Sequence, residues 1–117
     1  MTTILKNKPY NDPYLKLVSG NVCVTETYQN GTSWYRVYSD GWCEQGGVAN
    51  ATYTGTVIKL LKPYKDLDYK GLVINNGVNT SATINTSFTV KTTSQAILSS
   101  GFSGAASVTW RAWGKIA

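Results

Sequence analysis

Short runs in which apolar and polar residues alternate, separated by turn-forming pairs, fill the chain from Val22 onward. The cleanest period lies around Thr83 to Lys91: Ala82, Ile84, Thr86, Phe88 and Val90 fall on one side, Thr83, Asn85, Ser87, Thr89 and Lys91 on the other. A period of two is the mark of a half-buried strand, because successive side chains of a pleated strand point to opposite faces. Ser107 to Ile116 repeats the pattern, with Val108, Trp110, Ala112, Gly114 and Ile116 set against Thr109, Arg111, Trp113 and Lys115. Val22–Tyr28, Tyr69–Asn75 and Gln95–Ser99 read as shorter strands. Thr54–Lys62 carries apolar residues on both faces and is expected to be central and covered on both sides, ending at Pro63. Val48–Tyr53 reads as a transition, and Ser99–Ala106 as a flexible loop exposing Phe102. No long helical pattern occurs. About seven to eight short strands, spaced roughly 8–12 residues apart, predict an all-β fold: a small antiparallel β-sandwich.

The strongest turn signal is Asp40-Gly41, between two runs rich in aromatic and β-branched residues, Ser33–Ser39 and Trp42–Gly47. A two-residue type I′ turn needs φ > 0 at both central positions, which Asp-Gly tolerates. Such a turn would set Ser39 opposite Trp42, Tyr38 opposite Cys43 and Arg36 opposite Gln45. Trp34, Arg36, Tyr38, Cys43, Gln45 and Gly47 would then share one face. An arginine there must be hydrogen-bonded, since an unpaired buried charge is costly. The expectation is a polar bridge from Arg36 to Gln45 inside the core, with a ligand-reading arginine as the alternative.

The 117 residues suit one domain with a modest core. Residues 1–20, with Pro9 and Pro13, read as a lead-in segment, and 21–117 as the single β-sandwich domain. Only 15% of residues are charged, so strand edges need hiding, which favours stable oligomers. The net charge of +5 is uneven: no acid follows Asp68, whereas Lys70, Lys91, Arg111 and Lys115 do. That balance draws the chain toward anionic surfaces such as acidic glycans, but the bases form no stripe, which argues against nucleic acid. Met1-Thr-Thr-Ile-Leu-Lys lacks the apolar core of a signal peptide, and no run approaches the ~20 residues of a membrane span. Synthesis in the cytoplasm would keep Cys23 and Cys43 reduced; both are expected as small buried residues, with a disulfide as the alternative if their strands pair.

With no histidine, the usual general base and the usual metal ligand are both missing. Two cysteines cannot complete a structural zinc site, and no phosphate-cradling glycine loop is present. Asp66 and Asp68, the nearest pair among six carboxylates, read as solvated loop acids. No catalytic residue, cofactor or metal is expected, and the chain reads as a non-enzyme. The aromatic residues are more informative: four Trp, eight Tyr and two Phe. Rings stack on sugar faces and give contact area at low entropy cost. Trp34, Tyr38 and Trp110 are expected in the core. Trp42 and Trp113 are either core or contact residues and, with Arg111 and Phe102, form the candidate ligand or subunit contact.

The run Trp34-Tyr35-Arg36-Val37-Tyr38-Ser39-Asp40-Gly41-Trp42-Cys43-Glu44-Gln45-Gly46-Gly47 resembles the signature hairpin of C-terminal domains of bacteriophage tail fibres and related receptor-binding tips. The pattern of that family is roughly W-x-R-x-Y-S-D-G-W-x-E-Q-x-G. Thr56–Tyr69 and the ending Val108–Ala117 are similar to its Lys-Pro-aromatic turn and its closing strand. Cys43 and Trp113 depart from the family's usual aliphatic and small residues. The resemblance implies a homotrimeric virion appendage, made in the host cytoplasm, that attaches to a host surface glycan or receptor and neighbours other virion proteins. Trp34, Arg36, Tyr38, Asp40, Gly41 and Gln45 would be its structural hairpin. The rival readings are a capping, trimerisation or decorating module without receptor contact, a polysaccharide-degrading tip, and a monomeric carbohydrate-binding module.

Overall fold

The computed structural model describes residues 22–77, 85–101 and 106–116. Among these residues eight strands form two antiparallel sheets. They are β1 (Val24–Asn30), β2 (Ser33–Tyr38), β3 (Trp42–Ala51), β4 (Thr56–Lys59), β5 (Lys70–Asn75), β6 (Thr86–Val90), β7 (Gln95–Ser100) and β8 (Ala106–Lys115). The larger sheet has the order β1-β2-β3-β8-β5 and the smaller one β4-β7-β6. Among the described residues no helix is long and apolar enough to cross a membrane. The lead-in segment 1–20, Ala82, Ile84 and Phe102 lie outside the described residues.

The central hairpin is built differently from the expectation. Its strands pair Trp34 with Gly46, Tyr35 with Gln45, Arg36 with Glu44 and Val37 with Cys43. The Gly41 amide donates to the Tyr38 carbonyl at 2.9 Å, Gly41 sits at φ 87°, and the Trp42 amide donates to Asp40 Oδ1 at 3.0 Å. The loop therefore holds Ser39, Asp40 and Gly41, the three-residue hairpin form in which a left-handed glycine follows the turn. One extra loop residue slips the pairing by one, and a slip of one moves a strand's whole side-chain set to the opposite face. Cys43 and Gln45 join Tyr35 and Val37 on the inner face, while Glu44 replaces Gln45 as the residue facing Arg36.

The inner face of the larger sheet makes the core with the smaller one. Cys43, Ala51, Val108, Trp110 and Ala112 pack with Leu98 and, from the connection after β4, with Leu60, Tyr64 and Tyr69. Phe88, Val90 and Ile58 close the cluster from the smaller sheet. Full burial of an aliphatic side chain such as Leu98 stabilises the fold by about 1.5–3 kcal/mol. Thr86 Oγ1 donates to the Val73 carbonyl, and the Ser100 amide to the Thr52 carbonyl, so the two sheets are laced together at both sides. The faces of β8 and of the described part of β6 are as the alternation predicts.

The 60–69 connection is held beneath the sheet by buried polar groups. The Gln45 side chain, fully buried, donates from Nε2 to the Lys62 carbonyl at 2.8 Å and accepts from the Lys62 amide at 3.1 Å. Tyr64 and Tyr69 stack with ring centroids 4.4 Å apart. The Tyr64 hydroxyl donates to the Cys43 carbonyl, and the Tyr69 hydroxyl is shared between the carbonyls of Thr92 and Gln95. Burial raises the pKa of both tyrosines and pushes the Cys43 thiol up to about 11.

Three further expectations are corrected. β4 is an edge strand, not a central one: Val57 is exposed, because the apolar residues of this segment that find cover are Ile58 and Leu60. Val48–Ala51 is no transition but the second half of the ten-residue β3, fully paired with β8. Cys23 is exposed rather than buried, and Cys23 and Cys43 are free thiols. Every residue of β1 is exposed, so the β1 edge projects beyond the smaller sheet.

Replacing Gln45 by Ala strips two partners from the Lys62 backbone beneath the sheet. We expect a loss of about 2–6 kcal/mol, at roughly 1–3 kcal/mol for each of the two buried groups left unsatisfied. Denaturant titration checks this, and an unshifted midpoint would show that the connection is held by other means.

Candidate functional site

The slip in register assembles a site on the outer face of the larger sheet. Two rows of side chains cross it. One runs Thr27, Arg36, Glu44, Trp113, Lys70, and the next runs Gln29, Trp34, Gly46, Arg111, Leu72. Trp42 and Lys115 form a pair at the turn end, and Val48, Thr109 and Ile74 form a third row at the other end.

At the centre, Glu44 joins three partners. Its Oε1 lies 3.5 Å from Arg36 Nη1 and accepts from the Tyr38 hydroxyl at 3.0 Å, while Oε2 lies 3.8 Å from Arg111 Nη2. Both guanidinium groups also lean on one ring, Arg111 at 5.1 Å and Arg36 at 5.8 Å from the Trp34 centroid. Cation–π contact of this kind is worth about 0.5–1 kcal/mol at exposed positions and holds the planar groups in place. Gly46 makes the arrangement possible. A Cβ there would stand 2.7 Å from the Trp110 carbonyl oxygen and 2.9 Å from Trp34 Nε1, so only a residue without a side chain lets the indole lie against the strand.

The sequence-derived candidates divide as follows. Arg111, Trp113 and Trp42 lie on this face, Arg111 exposed and the two indoles half-buried. Trp34, Arg36 and Tyr38 lie there too and are half-buried, which corrects their placement in the core; Trp110 alone of the three expected core rings is buried. Gln45 sits on the opposite face and bonds Lys62, not Arg36. Asp40 and Gly41 shape the turn. Sequence reasoning missed Glu44 as the centre of the cluster. The signal was available in its position four residues beyond Asp40, which a three-residue loop turns toward Arg36. Thr27, Gln29, Leu72 and Ile74 complete the face and carried no signal of their own.

A groove of ≈ 240 Å³ runs beside Trp34 and Arg36, lined also by Thr27, Tyr28, Gln29 and Tyr35. It is smaller than the roughly 300–1,000 Å³ of enclosed ligand pockets, so it suits a small terminal group. A more open depression of ≈ 460 Å³ lies by the turn, bounded by Val37, Tyr38, Gly41 and Ile116 among others. Among the described residues no group of three His, Cys, Asp or Glu stands together to hold a metal ion. The arrangement offers ring faces, fixed cations, hydroxyls and amides on an open surface, which is the equipment of recognition.

On the other side of the projecting hairpin, Tyr35 stacks on Tyr28, its hydroxyl donates to Glu26, and Lys62 lies 3.4 Å from Glu26 and 5.1 Å over the Tyr35 ring. The Tyr35 bond, with help from Lys62, holds the Glu26 carboxyl below its usual range, and the same bond pushes Tyr35 up to about 12.

No protein-family model matches this sequence, and no curated protein matches it. Solved structures do. An N-truncated R2-type pyocin tail fibre aligns over 92% of this chain and 44% of its own, with a TM-score of 0.66 and 19% identity. A C-terminal fragment of the P. aeruginosa R2 pyocin fibre aligns over 86% of this chain and 28% of its own, with a TM-score of 0.66 and 20% identity. Pyocin tail fibres contain this fold. The chain spans less than half the length of either fibre fragment. At this identity the likeness is one of fold, and at that level alone it agrees with the tail-fibre resemblance; it does not test the hairpin motif.

The linked pair of shifts around Tyr35 yields a pH expectation. Depression of Glu26 gives a contact present above the ordinary carboxylate range and lost as pH falls through the lowered value. The raised Tyr35 gives one present below pH 10 and lost as pH rises through about 12. In an alkaline absorbance titration, Tyr35→Phe should remove one late tyrosine ionisation near pH 12; an unaltered late step would show that the Glu26 bond does not persist in solution.

Proposed function

We propose that this chain is the tip module of a tail fibre on a phage or phage-like particle, that it works as a homotrimer, and that it attaches the particle to a glycan or protein on the host surface without cutting it. The reading rests on one coincidence: a fold that pyocin tail fibres contain, carrying an outward face set with Trp34, Trp42, Trp113 and two arginines. Indoles left half-exposed beside charged groups give apolar contact area with a polar margin, as recognition surfaces do. An open face gives weak single contacts, and three tips on each of several fibres multiply them through effective concentration. In this reading the module is a virion appendage, with host receptor, sister copies and adjoining virion proteins as its partners.

One observation favours a second reading. Val48, Leu72 and Ile74, at 46%, 49% and 58% exposure, make an apolar end to the same face. In a capping or trimerisation module without receptor contact, that end and the indoles together would be buried between copies.

Light scattering and a glycan array separate the two. For an attachment tip we expect a trimer and array binding that falls about tenfold in Trp42→Ala or Trp113→Ala, a loss of about 1.4 kcal/mol. A trimer that binds nothing, and that dissociates when either tryptophan is removed, would establish the capping role instead.

A further inference from the structure

Resting on the attachment reading, we infer that the ligand is an anionic saccharide whose acid group, a carboxylate or a phosphate, seats between Arg36 and Arg111 beside the Trp34 ring. The first argument is charge. Among the described residues, the strand positions of the outer face carry four cations, Arg36, Lys70, Arg111 and Lys115, against one carboxylate, that of Glu44. Lys70 and Lys115 each donate to a backbone carbonyl, of Asp68 and Asp40. Glu44 cannot satisfy two guanidiniums at 3.5 and 3.8 Å, each of which offers five N–H donors. Among the described residues the Arg111 guanidinium makes no hydrogen bond at all, and the two side chains are 43% and 50% exposed.

The second argument is preorganisation. Both guanidiniums are already held against one indole, so little side-chain freedom is lost when a second oxyanion joins them. Arginine forks match carboxylate and phosphate oxygens equally well. The third argument is the groove. Thr27 and Gln29 line it next to Trp34 and Arg36, which puts a hydroxyl and an amide where sugar hydroxyls need partners and an aromatic ring beside them. A face this short, with its cations grouped around one ring, is not the extended basic track that nucleic acid requires.

The test uses the intact oligomer on immobilised polygalacturonate for carboxylate, phosphomannan for phosphate, and dextran as the neutral polymer. We expect retention on at least one acidic polymer and not on dextran, weakening as added salt shortens the screening length. Arg36→Gln and Arg111→Gln should each reduce retention about tenfold, whereas Glu44→Gln, which removes the resident competitor, should strengthen it severalfold. Circular dichroism and molar mass would confirm that each variant keeps its fold. Retention that ignores all three substitutions, or equal retention on dextran or on a single-stranded oligonucleotide, would overturn the inference. So would a change of molar mass in Arg111→Gln, which would make this face a contact between copies. If the acidic polymers fail while the array shows neutral glycans bound, the charge assignment falls and attachment stands. If the array is blank as well, both fall.

Discussion

The register of the central hairpin, in which three residues, Ser39–Gly41, form the loop, is what the rest of the molecule depends on. It brings Gln45 inward, where its amide meets both backbone groups of Lys62, and sends Glu44 outward, between Arg36 and Arg111. The opposite register would bury a carboxylate beneath the second sheet and expose the amide that holds the 60–69 connection. Burial of an unpaired charge costs far more than a turn preference of a kcal/mol or so, so the core selects the loop and not the reverse.

The two faces of the larger sheet are consequently different materials. The inner one is dry and closed by stacked tyrosines, whose hydroxyls each find a backbone carbonyl. It supplies rigidity. Among the described residues the outer one has no second layer. Its side chains are ordered by one another, through an indole under two guanidiniums and a carboxylate shared among three groups. Order without cover is what a recognition surface needs: groups already in position, still wet, and so losing little freedom on binding.

In the reading proposed above, a chain with no histidine would draw its selectivity from such a face. Each contact would be shallow, and affinity would come from repetition of the same face. Among the described residues the projecting β1 edge is exposed along its length, and under the proposed reading sister copies would cover it.

What the sequence alone determined is local. Alternation in 107–116 and around 86–90 placed Val108, Trp110, Phe88 and Val90 correctly on inner faces, because a strand's period of two is a property of the backbone. The Asp40-Gly41 turn was likewise legible, as was the surfeit of aromatic residues. The length of that turn was not, because Asp-Gly suits both the two-residue and the three-residue loop, and the choice between them rests on which strand faces find cover. For the same reason alternation alone does not tell that Arg36, Trp34 and Tyr38 lie on the outer face or that Val57 and Cys23 are exposed. Periodicity says which residues share a face; only the packing of one sheet on another decides which face is inside.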